Sequence, residues 1–401
     1  MFIAEDLLFI TVDSKYLIYS GSYHKALIVD SEIFANLHKR NCKYFSQKYL
    51  DKDILEKLIK HGMIFKYYTD YVINNYYNST FKFRSTDISI NTVYFHVTQR
   101  CNLKCSYCYN KDNLNKADML KTDTVKSIID KLVKINVKHI NFTGGEILLR
   151  KDIEEIVKYT YEKGISIDIL TNGLLLSKRK NLYKYVDKFI ISLDTLISEN
   201  NKRIGLEIDK LLSNLNNIPS EYKNKISIRS VVFKDSNDWI DVKNHIEKTL
   251  KMQHIKVPFI PNSQEEISYM PDMNCFVNDE DNCILSGATC GASYKILAID
   301  SDGCVYPCQT MINKKFKLAN ILKENWIEEL KNSLFVRRFQ NRSVNTILEC
   351  STCNIRYMCG GGCSAIAENL YGDMSENSKI FCEFQKKVAY NKLKNVVKKY
   401  G

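Results

Sequence analysis

Residues 98–110 read TQRCNLKCSYCYN. The stretch sets Cys101, Cys105 and Cys108 at C-x3-C-x2-C, directly after TVYFHVT at 92–98, whose alternation of apolar and polar residues is that of a strand. Three thiolates so spaced reach three corners of an iron-sulfur cube and cannot complete a tetrahedral ion, which leaves one iron open for a small molecule. A zinc site completed by His96 or a distant cysteine is the alternative, and it lacks the C-x2-C pairs that zinc sites use.

Working outward, KHINFTG, SIDILTN, KFIISLD, KISIRSVVF and HIKVPFI read as further strands, with amphipathic helices such as TDTVKSIIDKLVKI, DIEEIVKYTYEKG and DWIDVKNHIEKTL between them. Such alternation implies an α/β fold with a parallel sheet and crossover helices, and six strands suit a partial (β/α)6 barrel. Ligand sites on these sheets lie beyond the carboxyl ends of strands. The triplet, TGGE at 143–146, TNG at 171–173 and SLD at 192–194 all fall there.

Ahead of the barrel, LLFITVD, KYLIYS and KALIVD read as short strands. SEIFANLHKR and DKDILEKLIKHGMI follow as helices, the latter with Asp51 as N-cap and Gly62 at its end, and YVINNYYNSTFKFRSTD makes a polar connector. Beyond about residue 270 the alternation fades. LAIDSDGCVYPC reads as a hairpin turning at Asp302-Gly303 and NWIEELKNSLFVRRF as a helix, while CGGGCSAIAENLYGD has so little pattern that metal is expected to hold it. The expected divisions are 1–80, a winged-helix-like module; 88–270, the barrel; 271–385, a cysteine-rich domain; and 386–401, a C-terminal helix.

The 401 residues are 45% hydrophobic and 11% aromatic, enough to bury the cores of two or three domains. The net charge of +12 is spread along every segment with acids interleaved, which describes a solvated surface and argues against nucleic acid. No apolar run approaches the roughly 18 residues of a membrane span, and MFIAEDLLFITVD has acids where a signal peptide carries a basic flank. The expectation is a cytoplasmic protein with no membrane association. Disulfides are disfavoured there, so clustered thiols among the 14 cysteines point to metal. Cys42 stands alone and reads as a small buried hydrophobe.

On these residues the chain resembles the radical S-adenosylmethionine (SAM) superfamily. The resemblance implies that Cys101, Cys105 and Cys108 hold a 4Fe–4S cluster whose open iron takes SAM, and that TGGE receives the SAM amino group through Gly144, Gly145 and Glu146. Tyr107 would lie against the adenine, and Asn172, Ser192, Asp194 and Arg229 would contribute at the next strand ends to ribose or carboxylate contacts. Arg229 reads equally as a structural ion-pair partner. Ile147 stands where family members carry proline, a change expected to cost little because proline only presets the turn.

Cys290, then Gly303 and Cys308 as G-x4-C, then Cys350, Cys353, Cys359 and Cys363 as C-x2-C-x5-C-x3-C, then Cys382, resemble the seven-cysteine SPASM pattern. That implies two auxiliary 4Fe–4S clusters, one on Cys350, Cys353, Cys359 and Cys382 and one on Cys290, Cys308 and Cys363. The latter's fourth ligand stays open between Cys304, Cys283, Cys275 and a vacant position. Zinc is the alternative for C-x2-C-x5-C-x3-C taken alone. Residues 1–80 resemble the PqqD-like recognition element that grips the leader of a ribosomally made peptide by adding it as a strand; their alternative is a cap on the barrel.

The implied activity is a peptide maturase. With a flavodoxin or ferredoxin as reductant, a 5′-deoxyadenosyl radical would take hydrogen from a leader-bound precursor and a thioether or side-chain carbon crosslink would close. An anaerobic sulfatase maturase shares both cysteine patterns, but those enzymes carry Asp right after the G-x4-C cysteine, where this chain has Gln309, which cannot act as a base. A non-catalytic iron-sulfur or zinc peptide adaptor is a third reading, and it has no use for an open iron beside Glu146. Asp300, Asp302 and Glu349 are general-base candidates.

Overall fold

Continuous apolar runs mark the first strands, because both faces of their sheet are covered. β1 (Leu7–Val12), β2 (Lys15–Ser20) and β3 (Lys25–Val29) form an antiparallel sheet in that order. The β1–β2 turn puts Asp13 and Ser14 at positive φ, as a two-residue hairpin turn requires. One core gathers Leu7, Ile18 and Val29 with Ile33 and Leu37 of α1 (Ser31–His38) and Leu58 of α2 (Lys52–Lys60). The Asp51 side chain caps α2 by accepting from Asp53 N at 2.7 Å, and Gly62 turns the chain at φ +63°. The helix Cys382–Tyr400 packs against β1 and β3, and it brings Val388, Ala389 and Leu393, all buried, to a sheet in which Leu8, Ile10 and Leu17 are buried too. Lys394 Nζ lies 3.6 Å from Asp13 Oδ1.

The computed structural model describes every residue except 22, 24, 39–49, 68–69, 71–87, 118, 235, 277–289 and 401. The expected polar connector, Cys42 and Cys283 lie outside the described residues. The chain divides into two compact units, one of residues 1–86, 273–290 and 340–401, the other of residues 87–272 and 291–339.

In the second unit strict alternation builds the barrel. β4 (Thr92–Thr98) sends Val93, Phe95 and Val97 into the apolar core and leaves Tyr94 and His96 on its other face. After the short β5 (Lys104–Cys105) come β6 (His139–Gly144), β7 (Ser166–Thr171), β8 (Lys188–Ser192), the short β9 (Arg203–Ile204), β10 (Ile226–Val232) and β11 (Gln253–Pro258). The six long strands pair in parallel in the order β4-β6-β7-β8-β10-β11. Three crossover helices, α3 (Thr122–Lys134), α4 (Ile153–Glu162) and α5 (Ile208–Asn216), each bury one apolar stripe; in α3 it is Val125, Ile128, Ile129 and Leu132. The expected helix DWIDVKNHIEKTL is α-helical over Asp238–Asn244 and then widens into a π-helix over His245–Leu250, closed by Lys251 at φ 56°.

The sheet continues past β4. β12 (Ile296–Ile299) pairs with it in parallel, and β13 (Cys304–Tyr306) and β14 (Ala319–Asn320) follow antiparallel, with the hairpin turning at Asp302-Gly303 as expected. The cysteine-rich region read over 271–385 is thereby shared between the two units, because the apolar run of β12 covers the open edge of β4. NWIEELKNSLFVRRF forms two helices, Trp326–Asn332 and Leu334–Asn341, which break at Ser333.

Candidate cluster and SAM site

The triplet loop is tied to three strand ends. Gly145 N donates to Thr98 O at 2.9 Å, Glu146 N to Arg100 O at 2.7 Å, and Asn172 Nδ2 to Asn102 Oδ1 at 2.9 Å. A Cβ on Gly144 would stand 2.0 Å from Thr98 O, and one on Gly145 2.2 Å from Arg100 O. The bare faces of both glycines are therefore filled by the loop that carries the cysteines. Behind it, buried Gln99 donates to Asp300 and accepts from Asn110 Nδ2 at 2.6 Å, with Asn115 N donating to Gln99 O.

Cys101, Cys105 and Cys108 are half-buried, and each lies within the electrostatic field of the other two. Burial pushes the Cys101 thiol up to about 11, and it raises Cys105 and Cys108 as well. Each must shed a proton when it ligates iron, so loading is favoured by higher pH. Three half-buried, electrostatically interacting thiols on a braced loop fit three corners of a cluster.

Sequence reasoning missed Arg203. The two-residue ladder of β5 and β9 sets it opposite Cys105, where its guanidinium opposes the rise in that thiol's pKa. Its Nε lies 2.9 Å from Asp194 Oδ2, and its guanidinium 5.2 Å from the centre of the Tyr107 ring. Asp194 also accepts from Tyr107 OH and, at 2.9 Å, from Val231 N. Burial works against the Arg203 charge, but Asp194 more than offsets it and holds the guanidinium protonated. Nothing periodic marks Arg203, and its partner lies 98 positions upstream in the chain.

The expected cofactor residues fall into two groups. Glu146 is 1% exposed, and its carboxylate accepts from Leu148 N, Thr171 Oγ1 and Asn172 N at 2.7 to 3.0 Å. Burial raises its pKa, and those bonds oppose the rise. Glu146, Asn172 and Asp194 brace the site: Asp194 accepts from Tyr107 OH, Arg203 Nη2 and Val231 N and pairs with the Arg203 guanidinium. Ser192, the last residue of β8, pairs in register with Arg229, midway along β10. The Arg229 Nε is buried without a hydrogen-bond partner, so this cation keeps capacity for an anionic group. Tyr107 packs edge-on against Phe233 at 4.9 Å. Tyr109 is 45% exposed, and burial around its hydroxyl raises its pKa.

In the other unit Cys350, Cys353, Cys359 and Cys382 line one cavity of about 590 Å³. Among the described residues no three His, Cys, Asp or Glu side chains close on a point as a single ion requires. Four thiols around a roomy cavity fit a cluster better. Gly360, Gly361 and Gly362 run at φ +73°, +82° and +74°, a left-handed stretch open only to glycine, and carry the chain from Cys359 to Cys363. Cys290 and Cys363 interact with each other electrostatically in this same unit. Cys308 belongs to the barrel unit, where its Sγ is 3.2 Å from Thr310 Oγ1.

Of the fourth-ligand candidates, Cys304 is buried beside Lys317 and Asn320, and Cys275 is exposed. Gln309 is half-buried, with its Oε1 unpartnered. Among the base candidates, Asp300 is raised by burial against its Gln99 bond, Asp302 accepts from Cys304 N, and Glu349 pairs with Lys379 at 3.0 Å.

Comparison with known proteins agrees with this reading. Residues 95–248 match the radical SAM superfamily, and residues 290–354 match SPASM, an iron-sulfur cluster-binding domain. The cofactors that follow are SAM and more than one 4Fe–4S cluster. The chain is 26% identical over 348 residues to the cysteine-type anaerobic sulfatase-maturating enzyme of Clostridium novyi, covering 71% of this chain and 90% of that protein. It is 27% identical over 301 residues to the antilisterial bacteriocin subtilosin biosynthesis protein AlbA of Bacillus subtilis, covering 67% and 66%. The fold matches Streptococcus suis SuiB bound to S-adenosylmethionine, with a TM-score of 0.53, 17% identity, and coverage of 94% of this chain and 98% of that one. Three further curated relatives share less of their length, the chain spanning 28%, 55% and 46% of them. Among the described residues no helix is long and apolar enough to cross a membrane.

Proposed function

We propose, for a chain that carries a radical SAM domain and a SPASM iron-sulfur domain, that it takes a hydrogen atom from a ribosomally made precursor peptide and closes a thioether or side-chain carbon crosslink. The observation that carries this is the joining, in one compact unit, of a three-stranded sheet with the four-cysteine cavity, through the helix that starts at Cys382. No further strand pairs with that sheet among the described residues, so an extended leader has an edge to extend. SuiB, a neighbour in fold, has been solved bound to its precursor peptide SuiA.

In this reading Cys101, Cys105 and Cys108 hold the first cluster, while Cys350, Cys353, Cys359 and Cys382 hold one auxiliary cluster and Cys290 and Cys363 belong to another. Bound there, SAM and the clusters would supply the means of hydrogen abstraction and an acceptor for the second electron that crosslinking releases. Arg229 and Ser192 receive the SAM carboxylate end, and Tyr107 borders the adenine. Glu146, Asn172 and the Asp194–Arg203 pair keep the loop in place. An acidic flavodoxin or ferredoxin serves as reductant.

The likeness to the Clostridium novyi enzyme over 90% of its length favours a second reading, oxidation of a protein cysteine or serine. Gln309 argues against it, since a carboxamide takes no proton. The deciding experiment incubates reduced, anaerobic protein with SAM and, in turn, short peptides encoded beside its gene and a sulfatase peptide. A peptide product lighter by two hydrogens, with stoichiometric 5′-deoxyadenosine, supports crosslinking, whereas an aldehyde on the sulfatase peptide supports the second reading. An adaptor would give no 5′-deoxyadenosine with either.

A further inference from the structure

Among the described residues no carboxylate pairs with Arg342, a buried cation. It is 6% exposed, and it donates to the backbone oxygens of Gly361 at 2.7 Å, Gly362 at 3.4 Å and Glu376 at 2.7 Å, while its Nε has no hydrogen-bond partner. Neutral carbonyls orient a guanidinium and do not neutralise it. Burial works against its charge, and the groups that oppose this are four thiols: Cys290, Cys350, Cys363 and Cys359. They come from both auxiliary sets. The two carbonyls at 361 and 362 lie in the chain between Cys359, of one set, and Cys363, of the other, so the clasp that holds the left-handed glycine run also ties the guanidinium to the segment that joins the two sets. A buried charge without an ionic partner is strongly unfavourable, and thiolates with their clusters would supply the missing negative charge.

We propose that Arg342 is a positioning residue that serves as the shared counter-charge of the two auxiliary clusters and sets the potential at which each takes an electron. This rests on the reading of these cysteines as cluster ligands. A fixed positive charge in a low-dielectric interior favours the more negative, reduced state of a nearby centre, so it makes both clusters better acceptors.

The test uses anaerobically purified full-length protein without peptide and compares parent, Arg342→Gln and Arg342→Lys by iron and sulfide analysis and by potentiometric titration followed by electron paramagnetic resonance. The expected result is parental iron in all three, lower midpoint potentials for both auxiliary clusters in Arg342→Gln, parental values in Arg342→Lys, and an unmoved SAM-binding cluster as internal control. Full iron with unchanged auxiliary potentials in Arg342→Gln overturns the proposal. Should Arg342→Gln lose iron, Arg342→Lys decides: retained iron at parental potentials supports the charge, and loss there too makes Arg342 only a clasp for the glycine run and overturns it. Parent protein with no auxiliary iron would instead sink the cluster reading itself.

Discussion

The loop of Cys101, Cys105 and Cys108 is anchored in the apolar core of the barrel through buried Leu103, while the segment from Cys350 to Cys363 wraps a cavity and threads three left-handed glycines. In the first region hydrogen bonds from β4, β6 and β7 hold the thiols, so the ligand finds a site already shaped. In the second the short helices Leu348–Ser351 and Arg356–Cys359 are one turn each, and the cluster proposed there is expected to add to the packing of Ile355, Tyr357 and Met358 that holds them. One site is carried by the fold; the other helps to make it.

The largest consequence concerns loss of ligands. Replacing Cys350 and Cys353 by serine is expected to lower the thermal midpoint by roughly 10 °C and to open residues 340–401 to protease, whereas alanine at Cys101, Cys105 and Cys108 together shifts the midpoint by less than about 3 °C while abolishing SAM cleavage. Equal losses of stability in calorimetry would erase the contrast between the two regions.

Next comes the Asp194–Arg203 pair, whose side chains are 8% and 11% exposed. Arg203→Met leaves a buried carboxylate unpaired and should cost about 3–5 kcal/mol in urea unfolding, and adding Asp194→Asn should recover most of it. A loss below about 1 kcal/mol for the single variant would mean that the triplet loop is held otherwise. In the glycine run, Gly362→Ala combines φ +74° with a Cβ 1.9 Å from Ser378 Oγ, and a cost of about 1–3 kcal/mol with reduced auxiliary iron is expected. Unchanged iron would show that this turn tolerates distortion.

The smallest effect lies in the barrel. His139 Nε2 is 3.4 Å from Asp168 Oδ2, and the hydrogen bond to Asp168 raises the imidazole pKa despite its burial. A raised histidine contributes stability fully below its unfolded value of about 6.5 and loses it as pH rises through the folded value. His139→Gln should therefore remove less than about 1 kcal/mol at pH near 5.5 and almost nothing near pH 8, measured by urea unfolding without iron. A greater loss at the higher pH would reverse the sign.

Legibility in the sequence followed the range of the interaction. β4, β6 and α3 show their periods within a dozen residues, and the triplet carries its chemistry in thirteen, so strands, helices and thiols could be read directly. Arg203 could not, because a two-residue strand has no period and its meaning lies in Cys105 far upstream. The pairing of β12 with β4 joins segments some 200 positions apart, and a run such as ILAI does not say which edge it will cover. The glycines of TGGE were visible, but what fills their faces, Thr98 and Arg100, was not.

The sheet of β1–β3 borrows a cover from the helix Cys382–Tyr400, which the ribosome makes roughly 350 residues later. At about 5–20 residues per second that wait lasts of order twenty seconds to a minute, during which a greasy face stands open to the cell. Chaperone traffic, more than intrinsic speed, would then govern the yield of intact protein, and the earliest strands to be translated would be the last to find rest.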